Sequence, residues 1–151
     1  TRGTIKSHTY ENEIHQLDPS VKVVTAACPL FVPFAEEGLY SGEIVKKVAE
    51  NYLSVIKRAK VDTVILGCTH YPLLKPVIRE VLGKDITLID SAKQVAIEVK
   101  KILSVEGLLN SGRIKGLSRF FVSDNPEWFK DLAVRFLGKK VTNVEKAECI
   151  I

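Results

Sequence analysis

The chain has 151 residues, of which 46% are hydrophobic and 26% charged. It is long enough for one globular domain, or for a domain and part of another, and its profile is not that of a disordered segment. The net charge is +4, and Lys and Arg are spread over predicted helical faces, which argues against a nucleic-acid site. The apolar runs fall short of the ~20 residues that span a bilayer.

Three cysteines without regular spacing indicate a reducing compartment rather than a disulfide framework. No signal peptide is recognisable, so we expect a cytoplasmic protein. The chain contains no methionine, even at position 1, so we expect a fragment, a processed product or a trimmed chain.

The first thirty residues predict a helix and a strand. Thr4 is suited to cap a helix that runs to about Leu17. Residues 21–27 are rich in β-branched and small side chains and predict a strand. The strand should end at Cys28-Pro29, because proline cannot continue a ladder and restricts the residue before it.

A hydrophobic loop or short helical turn is predicted over residues 31–40, and it carries the carboxylate pair Glu36 and Glu37. Ser41 is then predicted to cap a helix that runs to about Ala59. The apolar side chains of this helix recur at helical spacing, so one of its faces should be buried.

The central stretch reads as a strand followed by a tight turn. Residues 63–66 are apolar and uncharged, which favours a strand that is buried on both faces of a parallel sheet. Gly67 ends the run, and Cys68, Thr69 and His70 follow at once. A cysteine at the carboxyl end of such a strand lies beside a helix N-terminus and a histidine, both of which favour a thiolate.

Beyond this turn the pattern repeats. A helix is predicted from Pro72 to Gly83, with an irregular first turn because a second proline follows four residues later. Residues 86–89 predict a short strand, and Ser91 should cap a helix to about Leu103.

The last third predicts a mobile connection, a strand, a helix and a final strand, at residues 104–118, 119–122, 126–137 and 141–144. Asp124 or Asn125 should cap the helix, and Gly138 should end it. Strands thus alternate with helices along the whole chain, which predicts an α/β fold with a mostly parallel sheet and flanking helices.

Cys68 and His70 are the strongest candidates for chemistry. Cys68 could instead be a small buried cysteine, and His70 a core histidine. The short spacing of these two residues and the lack of a second ligand cluster argue against a metal site. We interpret Cys28 as structural and Cys149 as having no role.

The remaining ionisable candidates are the glutamates and the other histidines. Glu36 and Glu37 are ordinary solvated charges on the simplest interpretation, but their hydrophobic loop allows one to face inward and orient an imidazole. His8 and His15 are expected at the surface. The glycine spacing matches no phosphate-binding loop.

Two blocks, ACPLFVPFAEEG (27–38) and VILGCTHYPLL (64–74), resemble the second half of bacterial glutamate racemases. The octapeptide GCTHYPLL is the more specific of the two. The start, TRGTIKSHTY, and the end, FFVSDNPEWFKDLAVRFLG, are also similar to that family, so the resemblance covers nearly the whole chain.

The resemblance implies cofactor-independent inversion of the glutamate α-carbon by two cysteines on opposite faces of the substrate. It places the family's second catalytic cysteine on Cys68 and its substrate-binding pair on Thr69 and His70, with His70 also tuning the thiol. It places the assisting glutamate on Glu36, and Thr4 is expected to reach the substrate carboxylate. It further implies glutamate as the small-molecule partner, a role in peptidoglycan synthesis, and a homodimer as one option.

The resemblance also implies two α/β domains, the second inserted into the first. Residues 1–92 would form most of the inserted domain without its first strand, and residues 93–151 would return to the first domain. The family's first cysteine, in an Asn-Thr setting, has no counterpart here. Because one thiol reaches only one face of the substrate, we expect this chain alone to be inactive.

Three alternatives remain open. The first is an aspartate racemase of the same family, which would use the same thiol chemistry. The second is a non-catalytic module that binds an amino acid without turning it over. The third is a redox-active thiol protein, against which the absence of any CxxC argues.

Overall fold

The computed structural model describes residues 1–112 and 116–148, and the chain divides into two compact units, Thr1–Ile102 and Leu103–Ile151. Cys149 lies outside the described residues. So do residues 113–115 of the predicted connection. No helix among the described residues is both long and apolar enough to cross a bilayer.

The first unit alternates helices with two short strands. Its elements are α1 (Arg2–Lys6), α2 (Thr9–Leu17), α3 (Phe31–Glu36), α4 (Glu43–Ala59), β1 (Thr63–Leu66), a 3-10 turn (Tyr71–Leu74), α5 (Lys75–Leu82), β2 (Thr87–Asp90) and all but the last three residues of α6 (Ser91–Val105). β1 and β2 are parallel, with Thr63 opposite Thr87 and Leu66 opposite Asp90. The prediction of an α/β fold with parallel strands is confirmed.

The core of this unit lies between α3, α4, the 3-10 turn and α5. It is built from one face of each helix, with Val45, Ala49, Leu53, Ile56, Val77, Ile78 and Val81 all buried. Phe31 and Leu74 are almost fully buried, and each such side chain contributes roughly 1.5–3 kcal/mol by burial. The Phe31 ring meets the Tyr71 ring edge-to-face, with centroids 5.4 Å apart. The core therefore fixes α3 against the turn that follows β1.

The predicted helix from Thr4 to Leu17 is wrong at its start. Thr1, not Thr4, caps α1, and its Oγ1 accepts the Thr4 backbone N–H at 3.2 Å. His8 then adopts a left-handed conformation with φ of 50°, which separates α1 from α2. A non-glycine residue with positive φ cannot continue a right-handed helix, so two short helices replace one.

The strand predicted over residues 21–27 is also wrong, because that stretch has no ladder partner among the residues that the structure describes. Within residues 1–112 and 116–148, the sheet that contains β1 has two strands, so one edge of β1 is unpaired there. β1 is also not buried on both faces: Thr63 and Ile65, which lie on the same face of the strand, are both exposed, Ile65 by 37%.

Two predicted helix caps are displaced. Gly42, with φ of 101°, precedes α4, so Ser41 is not the cap. Ser91 lies within α6, and the Asp90 carboxylate accepts the Lys93 backbone N–H at 3.3 Å in its place. An aspartate at this position satisfies an N–H that would otherwise lack a partner.

The second unit contains β3 (Phe120–Val122), α7 (Pro126–Leu137) and β4 (Val144–Lys146). β3 and β4 are parallel, and Asn125 caps α7 by accepting two backbone N–H groups. Helix α7 and its end at Gly138 match the prediction. The final strand begins three residues later than predicted, although Val141 is buried.

Candidate active site

The turn after β1 places a thiol, a hydroxyl and an imidazole at the carboxyl edge of the parallel pair. Gly67 lets the Tyr10 ring approach this turn closely, because a Cβ there would lie 3.2 Å from Cε2 of that ring. The Gly67 N–H donates to the Ile65 carbonyl at 3.1 Å, and the Tyr71 N–H donates to the Cys68 carbonyl at 3.2 Å. Two tight turns thus connect β1 to the 3-10 turn and place Cys68 just ahead of it.

Cys68, His70 and Glu36 form a chain of polar contacts. Sγ of Cys68 lies 4.0 Å from Nδ1 of His70, and Oγ1 of Thr69 lies 3.2 Å from the same nitrogen. Nε2 of His70 lies 3.1 Å from Oε1 of Glu36. The His70 and Glu36 side chains are 22% and 26% exposed, so this contact is partly shielded from water.

This arrangement assigns a role to each imidazole nitrogen. Because a carboxylate only accepts, Nε2 of His70 must donate to Glu36. In the neutral ring Nδ1 is then the acceptor and faces Cys68, whereas in the protonated ring Nδ1 donates toward the thiolate. The His70 ring can therefore hydrogen-bond the Cys68 sulfur in either protonation state. The neutral ring accepts from the thiol, and the protonated ring donates to the thiolate.

The Glu36 carboxylate is positioned by the core rather than by its neighbours in sequence. Glu36 is the last residue of α3, and Phe31 at the start of that helix packs against Tyr71. The Tyr71 hydroxyl donates to the Cys28 carbonyl at 3.0 Å, so the two cysteine-bearing turns are joined. Glu37 ends the helix as its C-cap and is exposed, so only the first carboxylate of the pair faces His70.

Cys28 is unsuited to acid–base chemistry. It is 3% exposed, and its thiol reaches only the Ala26 carbonyl, at 3.7 Å. Burial raises the pKa of the Cys28 thiol to about 11. These observations agree with its interpretation as a structural residue.

Sequence reasoning missed an ion pair beside the site. The Lys75 ammonium donates to the Asp90 carboxylate at 2.6 Å, and this bond lowers the pKa of Asp90. Lys75 opens α5, and Asp90 ends β2 opposite Leu66, so the pair ties the turn after β1 to the neighbouring strand. The signal that could have revealed it is the position of Asp90 at the carboxyl end of a strand parallel to β1.

Thr4 is not among the contacts of Cys68. Its hydroxyl lies 2.8 Å from that of Thr1, and it lines a cavity of about 580 Å³ that Cys68, Thr69 and His70 do not line. In the part of the chain that the structure describes, no three His, Cys, Asp or Glu side chains form a group that could hold a metal ion.

Comparison with known proteins identifies relatives along nearly the whole chain, although no family model matches it. The chain is 48% identical over 144 residues to a glutamate racemase of Geobacter metallireducens, which covers 95% of this chain and 53% of that protein. It is 43% identical over 145 residues to the glutamate racemase of Chlorobaculum parvum, covering 96% of this chain and 53% of that protein.

Solved structures give the same result. A glutamate racemase from Francisella tularensis, determined in complex with D-glutamate, superposes with a TM-score of 0.89 at 36% identity, over 98% of this chain and 55% of that one. The RacE1 isoform of glutamate racemase from Bacillus anthracis gives a TM-score of 0.88 at 37% identity, with the same coverage of 98% and 55%. The chain thus spans about half the length of the relatives it matches.

Proposed function

We propose that this chain, which belongs to the glutamate racemase family and corresponds to the C-terminal half of its members, supplies one of two acid–base groups that invert the α-carbon of glutamate. Cys68 is that group. The observation that carries the proposal is the contact chain from the Cys68 thiol through His70 to Glu36 at the carboxyl edge of β1.

Inversion requires a proton to leave one face of the α-carbon and another to arrive at the opposite face. In one direction the Cys68 thiolate takes the α-proton and becomes a thiol, and the electron pair remains on the substrate. A thiol on the far side then donates its proton to the α-carbon and becomes a thiolate. In the reverse direction Cys68 starts as the thiol and acts as the acid.

His70 and Glu36 support Cys68 both as the base that takes the α-proton and as the acid that returns one. Nδ1 of His70 lies within hydrogen-bond reach of the sulfur, and Glu36 fixes the ring through Nε2. Thr69 places a hydroxyl 3.2 Å from the same Nδ1, and we assign Thr69 and His70 to contact the substrate. Thr4 is assigned to the substrate carboxylate on the basis of the family resemblance.

The second thiol must come from outside the part of the chain that the structure describes. Cys28 is the other cysteine in residues 1–112 and 116–148, and its burial and raised pKa remove it from consideration. We assign the second thiol to the half of the relatives that this chain does not span. The isolated chain then cannot racemise glutamate, because a proton taken from one face can return only to the same face.

The setting follows from the same family membership. We assign the reaction to the supply of D-glutamate for peptidoglycan synthesis, in the cytoplasm and without a cofactor. A homodimer is compatible with this assignment.

The test joins this chain to the N-terminal half of the Geobacter metallireducens relative and follows L-glutamate by circular dichroism. The fused protein should racemise L-glutamate, and the isolated chain should not. Racemisation by the isolated chain would overturn the two-thiol assignment. Binding of D-glutamate by the fused protein, without α-proton exchange in deuterated water, would indicate a binding module instead. Faster turnover of aspartate would assign the chain to an aspartate racemase.

A further inference from the structure

We propose that the Lys75–Asp90 ion pair positions the Cys68 thiol for proton transfer, by fixing the turn that carries Cys68 against the end of β2. The inference rests on the proposed function, because it requires Cys68 to be an acid–base group. Lys75 and Asp90 act on the thiol through the backbone, so they are positioning residues and not catalytic ones.

The backbone between Cys68 and Lys75 is hydrogen-bonded along its length. Three successive bonds connect residues three positions apart: the Tyr71 N–H to the Cys68 carbonyl at 3.2 Å, the Leu73 N–H to the His70 carbonyl at 3.1 Å, and the Lys75 N–H to the Pro72 carbonyl. Bonds of this 3-10 type restrict the dihedral angles of the residues that they enclose. A displacement of Lys75 therefore moves Cys68 and His70 with it.

Asp90 is the fixed member of the pair. It is the last residue of β2 and lies in register with Leu66, the last residue of β1. Its Oδ1 accepts the Lys93 N–H at 3.3 Å, in the first turn of α6, and its Oδ2 accepts the Lys75 ammonium at 2.6 Å. The Asp90 side chain is only 14% exposed, so water competes little for this carboxylate. The sheet and α6 thus set the point to which Lys75 is held.

A second basic residue of α5 binds near the opposite end of β2. Nη1 of Arg79 donates to the Lys84 carbonyl at 2.9 Å and to the Ile86 carbonyl at 2.6 Å, in the segment that precedes β2. Lys75 binds where β2 ends, at the edge of the sheet where Cys68 follows β1. Both contacts fasten α5 beside β2, but of the two it is the Lys75 contact that lies at the edge with the thiol.

The core alone does not fix the direction of the turn. Tyr71 and Leu74 are buried, but apolar burial is non-directional. The Tyr71 hydroxyl adds a directional bond to the Cys28 carbonyl, and Lys75 adds a second, charge-assisted bond to a different element. Two such bonds restrict the rotation of the turn as well as its translation. This matters for Cys68 because a misplacement of about 1 Å can cost about 10²-fold in rate.

The test compares Lys75→Met with Arg79→Met in the fused protein. Each variant removes one polar contact of α5, and both should unfold at a lower urea concentration. Lys75→Met should also lower kcat about tenfold per folded molecule, because the thiol is misplaced, whereas Arg79→Met should leave kcat unchanged. Lys75→Arg keeps a cation beside the Asp90 carboxylate and should retain most of the activity.

Isotope effects identify which of the two proton transfers is slowed. With α-deuterated glutamate in ordinary water, Cys68 removes the deuteron in one direction and the second thiol removes it in the other. If Lys75→Met slows the step at Cys68, the primary isotope effect on kcat should rise in the first direction and fall in the second. A loss of folded protein changes neither isotope effect. Circular dichroism, started from each enantiomer, measures both.

A measurement on this chain by itself tests the contact without turnover. The Tyr71 N–H reports on the turn, because it is bonded to the Cys68 carbonyl. Followed by NMR, its hydrogen exchange should be about tenfold faster in Lys75→Met than in Arg79→Met. The Leu53 N–H, in the middle of α4, should exchange alike in the two variants.

If Lys75→Met does not fold, Asp90→Asn replaces it in every comparison, because it removes the charge with little change in size. Equal losses of kcat in Lys75→Met and Arg79→Met, with unchanged isotope effects, would overturn the inference and leave the proposed function standing. A fused protein that does not racemise glutamate before any substitution would count against the proposed function. Exchange of the Tyr71 N–H would then decide the inference, which equal rates in the two variants would overturn.

Discussion

Cys28 and Cys68 each follow an apolar stretch rich in β-branched residues, and a short helix follows each of them within three residues. Their surroundings nevertheless differ. Cys28 is 3% exposed and reaches only a backbone carbonyl, whereas Cys68 is half-buried, with an imidazole nitrogen 4.0 Å from its sulfur. A cysteine at the end of such a stretch is therefore not a reactive group by position alone; the adjoining imidazole and carboxylate distinguish the two.

The two turns nevertheless depend on each other. The Cys28 turn begins the segment that carries Glu36 on α3, and its carbonyl accepts the Tyr71 hydroxyl from the Cys68 turn. The buried turn thus supplies the carboxylate that the partly exposed turn uses. Substitutions in one turn at a time test this division of roles.

The largest effect is expected from removing the two thiols separately in the fused protein. Cys68→Ser should lower kcat for glutamate racemisation by about 10³-fold, because acid–base groups contribute about 10²–10⁴-fold. Cys28→Ala should retain most of the activity and lose stability. Racemisation measured by circular dichroism tests both variants. Equal losses of activity in the two variants would mean that Cys68 and Cys28 do not have separate catalytic and structural roles.

Alkylation should distinguish Cys28 from Cys68 by the reactivity of their thiols. With a pKa of about 11, only about one Cys28 in 1,000 is a thiolate at pH 8, and only the thiolate reacts. Iodoacetamide should therefore label Cys68 at pH 8 and spare Cys28. Labelling of Cys28 should rise about tenfold per pH unit toward pH 11 while the protein stays folded. Mass spectrometry of the labelled peptides gives both rates, and equal rates at pH 8 would contradict the burial of Cys28.

The carboxylate pair allows a matched test of the contact between the turns. Glu36→Gln in the fused protein should lower kcat about tenfold, because the His70 ring loses its anionic partner. Glu37→Gln, one residue away and without that contact, should leave kcat unchanged. Steady-state kinetics separate the effect on kcat from that on KM. A similar loss in both variants would exclude a specific role for Glu36.

The sequence predicts those features whose signals are local. Gly83, Asn125 and Gly138 bound helices where expected, and the Cys68 turn follows its strand as predicted. The strand at 21–27 fails because a strand needs a partner, and pairing is not a local property. The Lys75–Asp90 pair joins two residues that are 15 positions apart in the sequence, so no periodicity reveals it.

The hydroxyl that joins the two turns should contribute to stability. Tyr71→Phe leaves the Cys28 carbonyl without its donor, which should cost about 1–2 kcal/mol of unfolding free energy. Tyr52→Phe is the matched control, because its ring also packs edge-to-face on Phe31 but its hydroxyl has no hydrogen bond within the described residues. Urea unfolding of both variants measures the difference. An equal cost would show that the rings, rather than the hydroxyl, join the turns.

The smallest effect is expected where the Cys68 turn is tied to β2. The bond from Lys75 lowers the pKa of Asp90, so the folded state holds this carboxylate ionised more strongly than the unfolded chain does. Its contribution is therefore present above the unfolded pKa of about 3.9 and is lost as pH falls through the lower folded value. Asp90→Asn should cost about 1 kcal/mol at pH 7, and this difference should shrink as the pH falls below 4.

The exposed Glu98–Lys101 pair is the matched control for that variant, since its side chains are 59% and 70% exposed. Glu98→Gln should change stability little at any pH, because water and salt screen such a pair. Urea unfolding at several pH values compares the two variants. A cost for Asp90→Asn that stays constant down to low pH would have the opposite meaning. The uncharged interactions of the Asp90 side chain, and not its negative charge, would then hold the turn against β2.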